Sequence, residues 1–105
     1  MVQICIIPEN KSQTDEIVNF LLKGKYLLNT VIVDNCILAK IDSKNRTARL
    51  NKTVISGIIR SLQFSNLNNR LREMYRYNMP VLYAVPIVHM DPDQSEAIAD
   101  YVTTF

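Results

Sequence analysis

The stretch Thr30-Val-Ile-Val-Asp-Asn-Cys-Ile-Leu-Ala-Lys-Ile41 runs into Asp42-Ser-Lys-Asn45 and resumes as Arg46-Thr-Ala-Arg-Leu-Asn-Lys-Thr-Val-Ile-Ser-Gly-Ile-Ile-Arg-Ser-Leu62. Two long runs rich in β-branched residues, joined by four residues of turn chemistry, predict a β-hairpin. Pairing Ile41 with Arg46 sets Ala39 opposite Ala48, Ile37 opposite Leu50, Asn35 opposite Lys52 and Val33 opposite Val54. That register gathers a mostly apolar face. Gly57 interrupts the second run and is expected to mark a bulge.

On the N-terminal side, residues 2–8 are nearly all apolar and end at Pro8, as a short strand buried on both faces would. Ser12 followed by Asp15 resembles a helix start. Ile17, Val18, Leu21 and Leu22 repeat at four-residue spacing, and Gly24 is placed to end the helix in the left-handed conformation. A helix over 13–24 follows. On the C-terminal side, Ser65 is the expected cap of a helix reaching Met74 or Tyr75, with Leu67, Leu71 and Met74 on one face. Met79 to Val88 reads as a strand whose two prolines confine it to an edge. Asp91-Pro92-Asp93-Gln94 then opens a last helix with apolar residues Ala97, Ile98, Tyr101 and Val102.

The order β-α-β-β-α-β plus a terminal helix is that of an α+β, ferredoxin-like sandwich: four antiparallel strands with two helices on one face. Right-handed crossovers put the first and third strands in the centre and the proline strand at an edge. With 105 residues, the whole chain, 1–105, is expected to form one domain. Two strands of about 12 residues reach about 40 Å, whereas a 12-residue helix covers about 18 Å. The hairpin must therefore overhang its own helices while its far part stays apolar. A flat apolar hairpin left bare invites aggregation, so a closed symmetric oligomer is expected.

Composition narrows the function classes. No apolar run approaches the roughly 18 residues of a membrane span. The N-terminus has neither a basic region nor a small-residue cleavage site, so a secretory leader is not expected. Cys5 and Cys36 make no disulfide framework and read as reduced residues of a cytoplasmic protein. Charge is unevenly spread: residues 1–39 carry −1, residues 40–76 carry +7 and residues 77–105 carry −4. The basic middle has no interleaved aromatics, which argues against nucleic acid and for a charge balance within or between subunits. The two Gly of the chain leave no phosphate-cradling loop, and no nucleophile motif accompanies the single His. No cofactor is implied, and no enzyme. His89, beside Met90, is the weak metal candidate, with no spaced partner. Arg60, Arg72, Tyr75, Arg76 and Tyr77 are the ligand candidates, because Arg suits planar anions and Tyr offers a wall with a polar tip.

Arg70-Leu-Arg-Glu-Met-Tyr-Arg-Tyr-Asn-Met-Pro80, then Val85-Pro-Ile-Val88 and Asp91-Pro92, resembles the CutA family of divalent-cation tolerance proteins. Tyr77 and Pro80 match the Tyr and Pro of the family's His-Pro-Tyr-Glu-x-Pro segment. Val85-Pro86-Ile87-Val88 matches its following strand, and Ile58-Ile59-Arg60-Ser61 its Ile-Ile-Lys-Thr. Tyr75, Arg76 and Asn78 stand where the family has His, Pro and Glu. The resemblance implies a ferredoxin-like subunit in a tight homotrimer with hairpins wrapping neighbours, an association with copper and other divalent ions, and a structure similar to PII signalling proteins. A non-enzymatic trimer that senses an ion or small anion at subunit clefts is the function it implies. A PII-like regulator whose hairpin docks on a partner protein is the alternative.

Overall fold

The computed structural model describes residues 1–102. Its elements are β1 (Val2–Ile7), α1 (Lys11–Lys23), β2 (Val31–Ile41), β3 (Thr47–Ile59), a 3₁₀ turn (Ser61–Gln63), α2 (Phe64–Met74), β4 (Val81–Pro86) and α3 (Pro92–Tyr101). The strands form one antiparallel sheet in the order β2-β3-β1-β4, with β1 and β3 central. This is the ferredoxin-like α+β arrangement the element order predicts. Ile4 and Ile6 of β1, with Ile55 and Ile59 of β3, are fully buried against Ile17 and Leu21 of α1 and Leu67 and Leu71 of α2.

Proline in β4 is tolerated for a readable reason. The Ile87 N–H donates to the Met1 carbonyl at 3.3 Å, so Ile87, Val85, Tyr83 and Val81 aim their backbone groups at β1. Pro86 lies opposite Val2 in the alternate phase, where no ladder donor is needed.

Local starts and stops differ from the sequence reading. Asn10, not Ser12, caps α1: its side chain accepts from the Gln13 N–H at 2.8 Å, and the Gln13 side chain accepts from the Glu9 N–H at 2.7 Å. Gly24 is right-handed, and Lys25 takes the left-handed position at φ 58. Gly24 is needed for space instead, since a Cβ there would meet the Phe20 carbonyl at 2.9 Å. α2 starts before Ser65, because the 3₁₀ turn leads straight into it without a side-chain cap. Asp91 caps α3 as expected, accepting from Gln94 N–H at 3.1 Å. Of the apolar side of α3, Ile98 and Val102 are buried, while Ala97 and Tyr101 stay exposed.

The hairpin departs most instructively. Val33 faces Val54 as the sequence register requires, but beyond it Cys36 faces Lys52, Leu38 faces Leu50 and Ile41 faces Thr47, one residue out of step. The extra residue is absorbed at Asp34-Asn35, where Asn35 adopts φ 59. This is a bulge, and Asn is among the few side chains that tolerate that backbone. It flips the alternation, so the distal apolar residues divide between both faces of the hairpin: Cys36, Leu38 and Leu50 on one, Ile37, Ala39 and Ile41 on the other.

No bulge occurs at Gly57, which pairs regularly with Ile4. A Cβ there would approach the Leu27 methyls at 2.7 and 2.8 Å. Leu27 is fully buried, so this glycine makes room for the α1–β2 connection to fold over β3. Gly57→Ala is expected to cost about 1–3 kcal/mol by overpacking, read from urea unfolding. Adding Leu27→Ala should bring a total below the sum of the two single losses; strict additivity would show that the two side chains do not compete for that space.

Candidate functional site

The candidate residues fall at opposite ends of the sheet. Val2 pairs with Ile59, so Arg60 lies at the end of the sheet where β1 begins; Ile7 pairs with Val81, so the α2–β4 segment lies at the other. Arg60 donates to the Ala99 carbonyl near the end of α3, a favourable place for a cation beside unpaired helix carbonyls. It is committed to holding α3, and its buried Nε has no hydrogen-bond partner among the described residues. Arg72, Arg76 and Tyr77 are exposed around the end of α2, Tyr77 at 94%. Tyr75 turns inward and is buried. Burial, reinforced by the Glu16 carboxylate that accepts its hydroxyl at 3.3 Å, pushes its pKa up to about 12.

The Arg72–Tyr77 end also holds a crevice of about 450 Å³ that the sequence reading missed. One wall is the β1–α1 turn and the start of α1, with Glu9, Asn10, Lys11, Thr14 and Asp15; the other is the hairpin around its bulge, with Asp34, Asn35, Asn51, Lys52 and Thr53. The bulge shapes that wall. Thr53 donates to the Asp34 carboxylate at 2.9 Å, and Asn51 donates to the Asn35 side-chain oxygen at 3.4 Å. Lys52 ties the two walls together, donating to the Glu9 carbonyl at 3.1 Å with the Glu9 carboxylate at 4.0 Å. Behind them Gln13, almost fully buried, donates to the Asn78 carbonyl at 2.9 Å and so anchors the 75–80 segment to the start of α1. The one sequence signal for the crevice is Asp34-Asn35, two poor strand formers inside a β-branched run.

Chemically the crevice offers amides, hydroxyls and charges of both signs. His89 is exposed beyond β4. Among the described residues no three His, Cys, Asp or Glu side chains gather as a metal would require. Cys5 and Cys36 are free thiols; the Cys5 thiol group beside Tyr83, its cross-strand neighbour, raises that phenol above its ordinary range.

A second feature is the sheet face opposite the helices. Since Ile4 and Ile6 point inward, Gln3, Cys5 and Ile7 point outward, flanked by Val81, Tyr83 and Val85 of β4 and by Val54, Ser56, Val31 and Val33 of the hairpin. No helix covers it. Val31 is 57% exposed, Val33 47% and Tyr83 49%. Exposed apolar faces of this kind are uncommon on monomeric proteins.

No family profile matches the chain, and no curated protein matches it in sequence. Solved structures do. CutA of Pyrococcus horikoshii superposes with a TM-score of 0.84 at 12% identity, covering 98% of this chain and 100% of that one. The periplasmic divalent cation tolerance protein CutA of Archaeoglobus fulgidus gives 0.83 at 18% identity, covering 98% and 100%. CutA of the psychrotrophic bacterium Shewanella sp. SIB1 gives 0.84 at 14% identity, covering 98% and 95%. The chain has the ferredoxin-like fold of the CutA divalent cation tolerance proteins, at a sequence distance where the likeness shows the fold alone. No helix among the described residues is long and apolar enough to cross a membrane.

The Tyr75 environment has a pH signature. In the unfolded chain its phenol ionises near its ordinary 10.0, and in the folded one near 12. Between these values the unfolded state binds fewer protons, so stability falls as pH rises through that window. Tyr75→Phe should flatten this part of the stability curve relative to wild type, measured by urea unfolding across pH 9 to about pH 12. Parallel curves for the two proteins would show that Tyr75 is not held by Glu16 and burial.

Proposed function

We propose that this chain is a single-domain, non-enzymatic subunit of a CutA-like homotrimer that takes a small anion at clefts between subunits. The observation that carries this reading is the uncovered apolar face of the sheet. Burying it against copies of itself removes Val31, Val33, Val81 and Tyr83 from water without any other partner. The likeness in fold to CutA proteins supports three subunits in cyclic symmetry. The side chains favour an anion over a divalent ion: Arg72 in the last turn of α2 and Arg76 just past its end are exposed cations, and His89 stands without co-ligands among the described residues. The two free thiols fit a reducing cytoplasm.

Light scattering should give a mass of three 12.1 kDa chains at micromolar concentration. Val33→Glu or Tyr83→Glu, which would bury an unpaired carboxylate in the assembly, should yield folded monomers. A monomeric wild type, or a trimer that survives both substitutions, contradicts the reading. For the ligand, calorimetry with inorganic phosphate should give binding that is lost in Arg72→Ala/Arg76→Ala. Tight Cu or Zn binding at one ion per subunit, abolished by His89→Ala, would replace the anion with a metal.

A further inference from the structure

We propose that the crevice at the hairpin bulge binds a free dibasic α-amino acid, held by the residues of one subunit. The site goes beyond the anion cleft proposed above and stands apart from it, because both of its walls come from the same chain.

The crevice is built before anything enters it. Lys52 ties the hairpin to the start of α1 by donating to the Glu9 carbonyl. Gln13 accepts from the Glu9 N–H and donates to the Asn78 carbonyl, so the α1 wall is braced from behind. On the other wall Thr53 holds Asp34, and Asn51 holds Asn35. Walls fixed in advance lower the ordering cost of binding. At about 450 Å³ the space lies within the roughly 300–1,000 Å³ of small-molecule sites.

The charges are unbalanced in a way that selects a ligand. Glu9 and Lys52 answer each other at 4.0 Å. Lys11, Asp15 and Asp34 also line the crevice, and none of them joins an ion pair among the described residues. Two carboxylates and one ammonium are left over. Their complement is a molecule with two cationic groups and one carboxylate, the charge pattern of a dibasic amino acid. A simple anion would meet two carboxylates here, and a diamine would leave Lys11 unanswered.

The neutral groups complete the same outline. Thr53 occupies one oxygen of Asp34, and the other accepts no hydrogen bond among the described residues. Asn51 donates to the Asn35 side-chain oxygen, which leaves the Asn35 amide N–H as a donor and the Asn51 side-chain oxygen as an acceptor. The ligand's α-ammonium is assigned to Asp34 and the Asn51 oxygen, and its α-carboxylate to Lys11 and the Asn35 amide. Ile32, 46% exposed in the same crevice, offers an apolar seat for the methylene stem. The distal cation then meets Asp15. The bulge makes this possible: Asp34 and Asn35 are consecutive yet line one crevice, where a regular strand would send them to opposite faces.

The test is calorimetry of the full chain with L-lysine, L-norleucine and cadaverine, with the Asn35 and Asn51 side-chain amide signals followed by NMR during the lysine titration. L-Lysine should bind once per chain, weaken as salt rises and move both amide signals. Norleucine, which lacks the second ammonium, and cadaverine, which lacks the carboxylate, should each bind about tenfold more weakly or worse. Asp34→Asn, which keeps the side-chain shape, should weaken lysine by about tenfold or more. Asp15→Asn should narrow the gap between lysine and norleucine, and Lys11→Met the gap between lysine and cadaverine, changes in selectivity that a folding defect does not produce. No lysine binding at millimolar concentration, binding unchanged in Asp34→Asn, or cadaverine bound as tightly as lysine would overturn the assignment. A monomeric wild type, which would contradict the trimer, leaves each of these outcomes readable.

Discussion

The structure turns on a mismatch of lengths. β3 has thirteen residues, and the helices laid across the sheet have thirteen and eleven. A strand advances about twice as far per residue as a helix, so the two helices cover only the part of the sheet where β1 and β4 are also present. There Ile4, Ile6, Ile55 and Ile59 of the inner face are fully buried. Past that point the hairpin continues with apolar side chains, among them Ile37 and Ile41, that stand exposed. The crevice forms at the line where helical cover stops, and the proposal of a second chain starts from these exposed side chains.

Much of the fold was legible because its signals are local and redundant. The Ile41–Arg46 turn region, the proline strand and the Asp91-Pro92 helix start each combine residue type with position, and the element order then allows few topologies. Positions that went wrong were those settled by tertiary contact. Gly57 looks like a bulge residue from its neighbours in sequence, but its small size answers to Leu27, thirty positions earlier. Gly24 looks like a left-handed cap, yet the chain turns at Lys25 instead. Asp34-Asn35 was read as regular strand with Asn35 opposite Lys52, and only the observed pairing shows that the bulge falls there and shifts the distal register.

The candidate site was less legible, and again for a physical reason. Arg60, Arg72, Tyr75, Arg76 and Tyr77 are chemically suited to an anion, but sequence proximity does not give direction. Tyr75 points into the core and Tyr77 into solvent, two residues apart, and Arg60 lies at the far end of the sheet with its guanidinium on α3. The crevice beside the bulge depends on Lys52, Glu9 and Gln13, which come together only through long-range pairing. None of these types is diagnostic alone.

In the proposed assembly, protection of the distal hairpin depends on other copies. Hydrogen exchange read by mass spectrometry on peptides covering 36–50, over a range of protein concentrations, addresses this directly. Protection there should rise with concentration, while the peptides of β1 and α1 remain equally protected throughout. Exchange in 36–50 that is independent of concentration, across a range where the measured mass changes, would contradict the claim that neighbouring subunits cover this hairpin.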